Sequence, residues 1–131
     1  QESADRKEIK IEVEGSPLVF ETTKPILEEV VYNLMDNAIK YNREQGNVTV
    51  RIFRKEKQFG FSVKDTGIGI PLIHQDRIFE RFYRVDKSRS KEIGGTGLGL
   101  SIVKHGVSCL GAQISVDSIP DEGSTFTVTW G

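Results

Sequence analysis

Apolar and polar residues alternate over residues 9–13, with Ile9, Ile11 and Val13 on one side. This is the period of a half-buried strand. A second short apolar run, residues 18–20, follows Gly15 and Pro17. Thr22 and Thr23 then offer an N-cap, and Pro25 suits a first helical turn. From residue 24 to 41, Leu27, Val30, Val31, Leu34, Ala38 and Tyr41 recur at helical spacing, which predicts a long helix. Val48, Val50 and Ile52 alternate after Gly46, and Phe59, Phe61 and Val63 alternate before Asp65. These read as a strand pair, with the polar residues 55–58 as its turn. Residues 66–71 are a loop signal, and residues 72–81 one or two short helices. Residues 86–96 are polar, glycine-tailed and without periodicity, so a mobile loop is expected there. Residues 98–110 form a second long helix, with Leu98, Ile102, Val103, Val107 and Leu110 near one face and Gly111 just past its end. Ile114/Val116 and Phe126/Val128/Trp130 mark two closing strands, joined by a turn over residues 120–123. The order predicts an α+β fold. It is a two-layer sandwich, a mixed and mostly antiparallel sheet with helices packed on one face.

A chain of 131 residues is enough for a single domain spanning residues 1–131. The net charge of −1, from 18 basic and 19 acidic residues, argues against a general nucleic-acid binder. No apolar run approaches the ~20 residues of a membrane span. Residues 1–10 are polar, so no signal peptide and no direct membrane contact are expected. Cys109 stands alone, which excludes a disulfide framework and favours a reducing, cytoplasmic compartment. It is expected to be a small buried apolar residue. Gly106 in mid-helix costs roughly 1 kcal/mol against Ala and has no functional reading.

Three clusters carry candidate chemistry. Asn33 and Asn37 lie four apart on the first helix and share a face. An amide carbonyl is a hard oxygen donor that suits Mg²⁺. Lys40 and Tyr41 follow within reach of a phosphate and a base. A solvated helix face explains the same asparagines. Next, Asp65 ends a strand, where a carboxylate can accept a hydrogen bond from an exocyclic amine such as adenine N6. Gly67 and Gly69 after it let backbone approach a ligand, or serve a plain turn that needs positive φ. Third, the run Gly94-Gly95-Thr96-Gly97-Leu98-Gly99-Leu100 opens a helix, and its free N–H groups and dipole favour an anion. It is neither a P-loop, which needs Lys and Ser/Thr after the last glycine, nor a dinucleotide fingerprint, which follows a strand directly. Between these clusters, residues 77–91 hold Arg77, Arg81, Arg84, Lys87, Arg89 and Lys91 against Glu80 and Asp86. That excess suits a triphosphate, an acidic partner or simply water. Phe79, Phe82 and Tyr83 fit a core.

The patterns N-x-x-x-N-A-x-K-Y, D-x-G-x-G-I-P, F-x-R-F-Y-R and G-T-G-L-G-L occur in this order. Together they resemble the catalytic ATP-binding domain of sensor histidine kinases, of the Bergerat-fold ATPase superfamily, over nearly the whole chain. The resemblance implies that Asn37 holds Mg²⁺ on the triphosphate of ATP, with Asn33 near it. It implies that Lys40 touches phosphate, Tyr41 packs on adenine and Asp65 reads the adenine amine. Gly67, Gly69 and Ile70 would line the pocket. Gly95, Thr96, Gly97, Leu98 and Gly99 would face the phosphates, and Arg84 the γ-phosphate.

No His-Glu-x-x-[Thr/Asn]-Pro segment is present, and neither His74 nor His105 resembles a phosphoacceptor. The resemblance therefore implies a separate histidine-containing dimerisation domain of the same parent receptor, with a response regulator downstream. The parent would be membrane-anchored, the domain cytoplasmic and monomeric when isolated. Two other readings stay open: an ATPase clamp of the gyrase or chaperone type, whose members usually carry Glu where Asn33 stands, and a nucleotide-sensing module without catalysis.

Overall fold

The computed structural model describes residues 9–15, 22–75, 77–80 and 99–130. Its elements are β1 (Lys10–Gly15), α1 (Lys24–Lys40), β2 (Asn47–Lys55), β3 (Gln58–Asp65), α2 (Leu72–Gln75), α3 (Gly99–Cys109), β4 (Gln113–Ile119) and β5 (Gly123–Trp130). The strands form one sheet in the order β1-β2-β3-β5-β4. β1 runs parallel to β2, with α1 as the crossover, and every other pairing is antiparallel. The sheet is thus mixed and mostly antiparallel, as the sequence predicts.

Register decides what each face does. Ile11 lies opposite Val48, Val50 opposite Val63, Val63 opposite Phe126, and Phe126 opposite Val116. Because side chains alternate across a strand, these residues share one face. That face meets Val30, Leu34, Ala38 and Ile39 of α1 and Val103 and Val107 of α3 in a single core. The opposite face carries Thr49, Arg51, Ser62, Lys64, Thr125, Thr127 and Thr129 and is mostly polar, with Phe53 and the exposed Ile119 as its apolar members. At the far end Trp130 stacks on Phe59, with centroids 5.5 Å apart, and donates its indole N–H to Leu110 O.

α1 begins at Thr23, whose backbone is extended and whose hydroxyl makes no capping bond; Pro25 occupies the first turn. It ends one residue before the expected Tyr41, which serves as C-cap. α3 ends as expected. Gly111 takes φ +72°, Ala112 N donates to Val107 O (3.0 Å) and Gly111 N to Ser108 O (3.1 Å), a Schellman closure.

The helix faces differ from the expected stripes in three places. Ile102 is 37% exposed, because α3 turns positions 103, 106 and 107 inward. Gly106 is one of those inward positions. A Cβ there would stand 2.7 Å from Val30 Cγ2, so the glycine admits α1 at close range. Cys109 is exposed rather than buried, on the outward side of α3 with its Sγ 3.7 Å from His105 Nε2. The expected run at residues 18–20, the mobile loop at residues 86–96 and Leu98 lie outside the described residues.

Candidate functional site

The inner sheet face changes character at one end. Along β5 the inward residues are Trp130, Val128, Phe126 and then Ser124; along β3, Phe59, Phe61, Val63 and then Asp65; along β4, Ile114, Val116 and then Ser118. The polar row is buried or half-buried and sits where α1 ends, beside the loop that follows Asp65.

Asp65 is 5% exposed. Its Oδ1 accepts the N–H of Gly67 (2.9 Å) and of Ser124 (3.2 Å). Oδ2 makes no hydrogen bond among the described residues. Burial pushes the carboxyl above its ordinary range, and the two backbone N–H groups pull it part of the way back.

The loop after Asp65 is stitched to its surroundings through backbone. Ile68 N donates to Tyr41 O (3.1 Å), Thr66 N to Asn47 O (3.2 Å) and Asp121 N to Ile68 O (2.8 Å). The glycines belong to this stitching. A Cβ on Gly67 would collide with the Tyr41 carbonyl, and one on Gly69, at φ +72°, with the Ile119 carbonyl. Both are demanded by protein backbone in close contact rather than by room for a ligand. Ile70 N donates to Ser118 Oγ (2.7 Å), while Gln75 Nε2 bonds Ile70 O and Ser118 O (2.9 and 3.2 Å). Ser118 Oγ also donates to Gly123 O (3.1 Å) and pairs with Ser124 Oγ (2.7 Å). Since Ser118 has one proton, Ser124 donates in that pair.

On α1, Asn33 Nδ2 donates to Glu29 O (2.8 Å), which anchors the amide. Oδ1 lies 3.6 Å from where a Cβ on Gly99 would stand. The first helix and the start of the glycine-led helix therefore meet at Asn33. Asn37, one turn on, is half-buried on the same face. Lys40 Nζ is paired with Asp36 Oδ2 (3.0 Å), so a phosphate would have to draw it from that carboxylate. α1 thus touches Gly99 at one point and the Asp65 loop, at Tyr41, two turns later. Arg84, Gly95, Thr96, Gly97 and Leu98 lie outside the described residues.

In the charged run, Arg77 grips Glu80 through Nε and Nη2 (3.0 and 3.2 Å), which holds the Glu80 carboxyl below its ordinary range. Phe79 packs edge-on against Phe126, with centroids 6.2 Å apart, as a core residue.

Sequence reasoning missed Asp36, Asn42, Arg43, Thr66, Gln75, Ser118 and Ser124. Asn42 is 7% exposed. It spans the turn after α1 by donating to Asn47 O (3.0 Å) and accepting from Arg43 N (2.9 Å). Its only sequence signal was its place in a turn. Ser118 and Ser124 each break an apolar alternation, a signal that gains meaning once register aligns them with Asp65.

Residues 22–131 match the family described as histidine kinase-, DNA gyrase B- and HSP90-like ATPases. The chain is 42% identical over 119 residues to the phosphate regulon sensor protein PhoR of Pseudomonas aeruginosa, covering 90% of this chain and 27% of that protein. It is 44% identical over 114 residues to the sensor histidine kinase WalK of Bacillus subtilis, covering 86% of this chain and 19% of that protein. It thus spans about a quarter or less of these relatives' lengths. Among solved structures it superposes on the mycobacterial sensor histidine kinase MprB with a TM-score of 0.85 at 30% identity, covering 98% of this chain and 87% of that one. It superposes on full-length ShkA in complex with AMPPNP with a TM-score of 0.80 at 28% identity, covering 98% and 26%. The chain belongs to the histidine kinase-, DNA gyrase B- and HSP90-like ATPase family, as a catalytic domain of the sensor histidine kinase kind.

Proposed function

We propose that this domain binds Mg·ATP at the polar end of its sandwich and donates the γ-phosphate to a histidine on a separate dimerisation domain of the same parent receptor, a two-component signalling step that feeds a response regulator. The carrying observation is Asp65. It is a buried carboxylate with one oxygen fixed by two backbone N–H groups and the other left for a donor. A ligand amine such as adenine N6 satisfies that second oxygen. The AMPPNP bound by the ShkA relative supports the same nucleotide class.

Gly67, Gly69 and Ile70 shape the base pocket, and Tyr41 flanks it. The donor set also fits Mg²⁺. With Nδ2 anchored on Glu29 O, Asn33 keeps its amide oxygen as a hard donor, and Asn37 presents its amide one turn away. Such a site lets Mg²⁺ keep phosphate oxygens and water as its other ligands. Mg²⁺ would be held by Asn37, with Asn33 beside it, and supplies charge neutralisation on the phosphates. Lys40 and Arg84 are the cations assigned to the developing charge. Gly95, Thr96, Gly97, Leu98 and Gly99 are assigned to the phosphate oxygens.

Asn33 separates this reading from an ATPase clamp. An amide takes no proton from water, so general-base help of about 10²–10⁴-fold is missing. A neutral histidine nitrogen is already a nucleophile. The isolated domain should therefore hold ATP, hydrolyse it slowly and leave itself unlabelled. The test incubates the chain with γ-labelled ATP, with and without the parent's dimerisation domain. Label on that domain's histidine is expected. Fast phosphate release without the acceptor, or label on His74 or His105, overturns the proposal. The domain acts as a monomer on the cytoplasmic side of a membrane-anchored parent.

A further inference from the structure

Arg43 stands in the turn that leaves α1, and no motif marks it. Its guanidinium reaches three backbone carbonyls in two other segments. Nε donates to Thr66 O (2.7 Å), and Nη2 donates to Gly67 O (3.1 Å) and to Asp121 O. A planar fork of donors holds several acceptors at once in a way that a lysine ammonium on its flexible stem does not.

The consequence lies in one peptide unit. Thr66 C=O and Gly67 N–H belong to the same planar trans group and point in opposite directions. Holding the oxygen toward Arg43 aims the N–H the other way, and that N–H donates to Asp65 Oδ1 at 2.9 Å.

We infer that Arg43 is a positioning residue for base recognition. By gripping Thr66 O it fixes the 66–67 peptide so that Asp65 presents Oδ2 to the ligand. Thr66 N and Ile68 N pin the flanking peptides to Asn47 O and Tyr41 O, but the 66–67 peptide oxygen is held by Arg43. Without that grip the peptide tilts, the Gly67 N–H bond to Oδ1 weakens, and the carboxylate rests more on the Ser124 N–H. Arg43 touches no ligand itself; it acts through backbone. This rests on the adenine reading of Asp65 proposed above.

The experiment measures dissociation constants for Mg·ATP and Mg·ITP with the wild-type chain, Arg43→Met and Arg43→Lys, each with a thermal melt. Hypoxanthine carries a carbonyl where adenine carries the amine, so ITP gains nothing from a correctly set Asp65. Wild type is expected to prefer ATP. In Arg43→Met the ATP constant should rise about tenfold, the scale of one hydrogen bond to a charged group. The ITP constant should stay put, so the preference collapses; Arg43→Lys should fall between. Parallel loss of both nucleotides, or an unchanged preference, overturns the inference and leaves Arg43 as mere scaffolding. If Arg43→Met does not fold, the ATP-to-ITP ratio in Arg43→Lys decides by the same criterion. A wild-type chain with no preference for ATP overturns the adenine reading itself, a result distinct from failure of the Arg43 step.

Discussion

Asp65→Asn should weaken ATP binding and, at neutral pH, leave the free domain at least as stable as before. The substitution keeps shape and volume. The new Oδ1 still accepts from Gly67 N and Ser124 N, which lie 2.9 and 3.2 Å away in the parent. What changes is the second position, where an acceptor becomes an NH₂ donor facing the adenine amine. Losing a hydrogen bond to a charged group costs about 1.5–3 kcal/mol, roughly 10–10²-fold in affinity. Stability moves the other way. Burial raises the Asp65 pKa in the folded state, so the folded protein holds that proton longer than the unfolded chain does. Its contribution is therefore fully present below the ordinary carboxylate range and is lost as pH rises through the folded value. At pH 7 the ionised, 5% exposed carboxylate is a cost that the neutral amide lacks. Calorimetric titration with Mg·ATP gives the affinity, and melts between pH 4 and 8 give the stability. The variant's advantage in Tm should shrink toward pH 4. Wild-type affinity in the variant refutes the acceptor role, and a lower Tm than wild type at pH 7 refutes the burial argument.

Asn37→Ala should remove the Mg²⁺ dependence of nucleotide binding, measured as ATP titrations with and without chelator; unchanged Mg²⁺ curves reject its role. Gly106→Ala gains about 1 kcal/mol of helix propensity. It also sets a Cβ 2.7 Å from the stiff, fully buried Val30, and overpacking of about 1–3 kcal/mol should lower Tm by several degrees; a raised Tm contradicts the close helix approach. Gly69→Ala meets both positive φ and the Ile119 carbonyl, so it should lose ATP binding, folding or both, whereas wild-type melting and affinity would show that the loop is not held as described.

The elements were legible because they repeat a simple period. Residues 24–41, 48–52, 59–63 and 126–130 alternate or recur strongly, and the structure places α1, β2, β3 and β5 there within three residues at each end. Gly111 announced the end of α3 for the physical reason that C′ takes positive φ. The site was legible as a list of residue types but not as a geometry. Asp65 stood out as a carboxylate at a strand end. Arg43, Ser118 and Ser124 did not, because their partners lie 23 to 78 positions away for Arg43, 48 for Ser118 and 59 for Ser124. Local patterns carry no information on such pairings until register is known. Gly67 and Gly69 show the same limit, since a glycine signal is identical whether a ligand or another stretch of backbone comes close.

Register also explains why one end of a well-packed sandwich can host chemistry. Three adjacent strands each carry apolar residues inward and then break the pattern in the same row, at Asp65, Ser124 and Ser118. A polar residue on an inward face is a local fault, and one such fault would be a liability. Three in register support one another, with only Asp65 Oδ2 of that row left over among the described residues. Ser124 N supports Asp65, Ser124 Oγ meets Ser118 Oγ, and Ser118 Oγ takes the N–H of Ile70. Among the described residues no fully buried side-chain polar atom lacks a partner. The apolar rows on the same strands, anchored by Phe126, Val128 and Trp130, supply the burial that holds the sheet. The polar row is therefore not needed to hold the sheet together, which suits the ligand site proposed for it. Places where consistent sequence rules fail together are where function is expected, and here they fail in one line across the sheet, beside the end of α1.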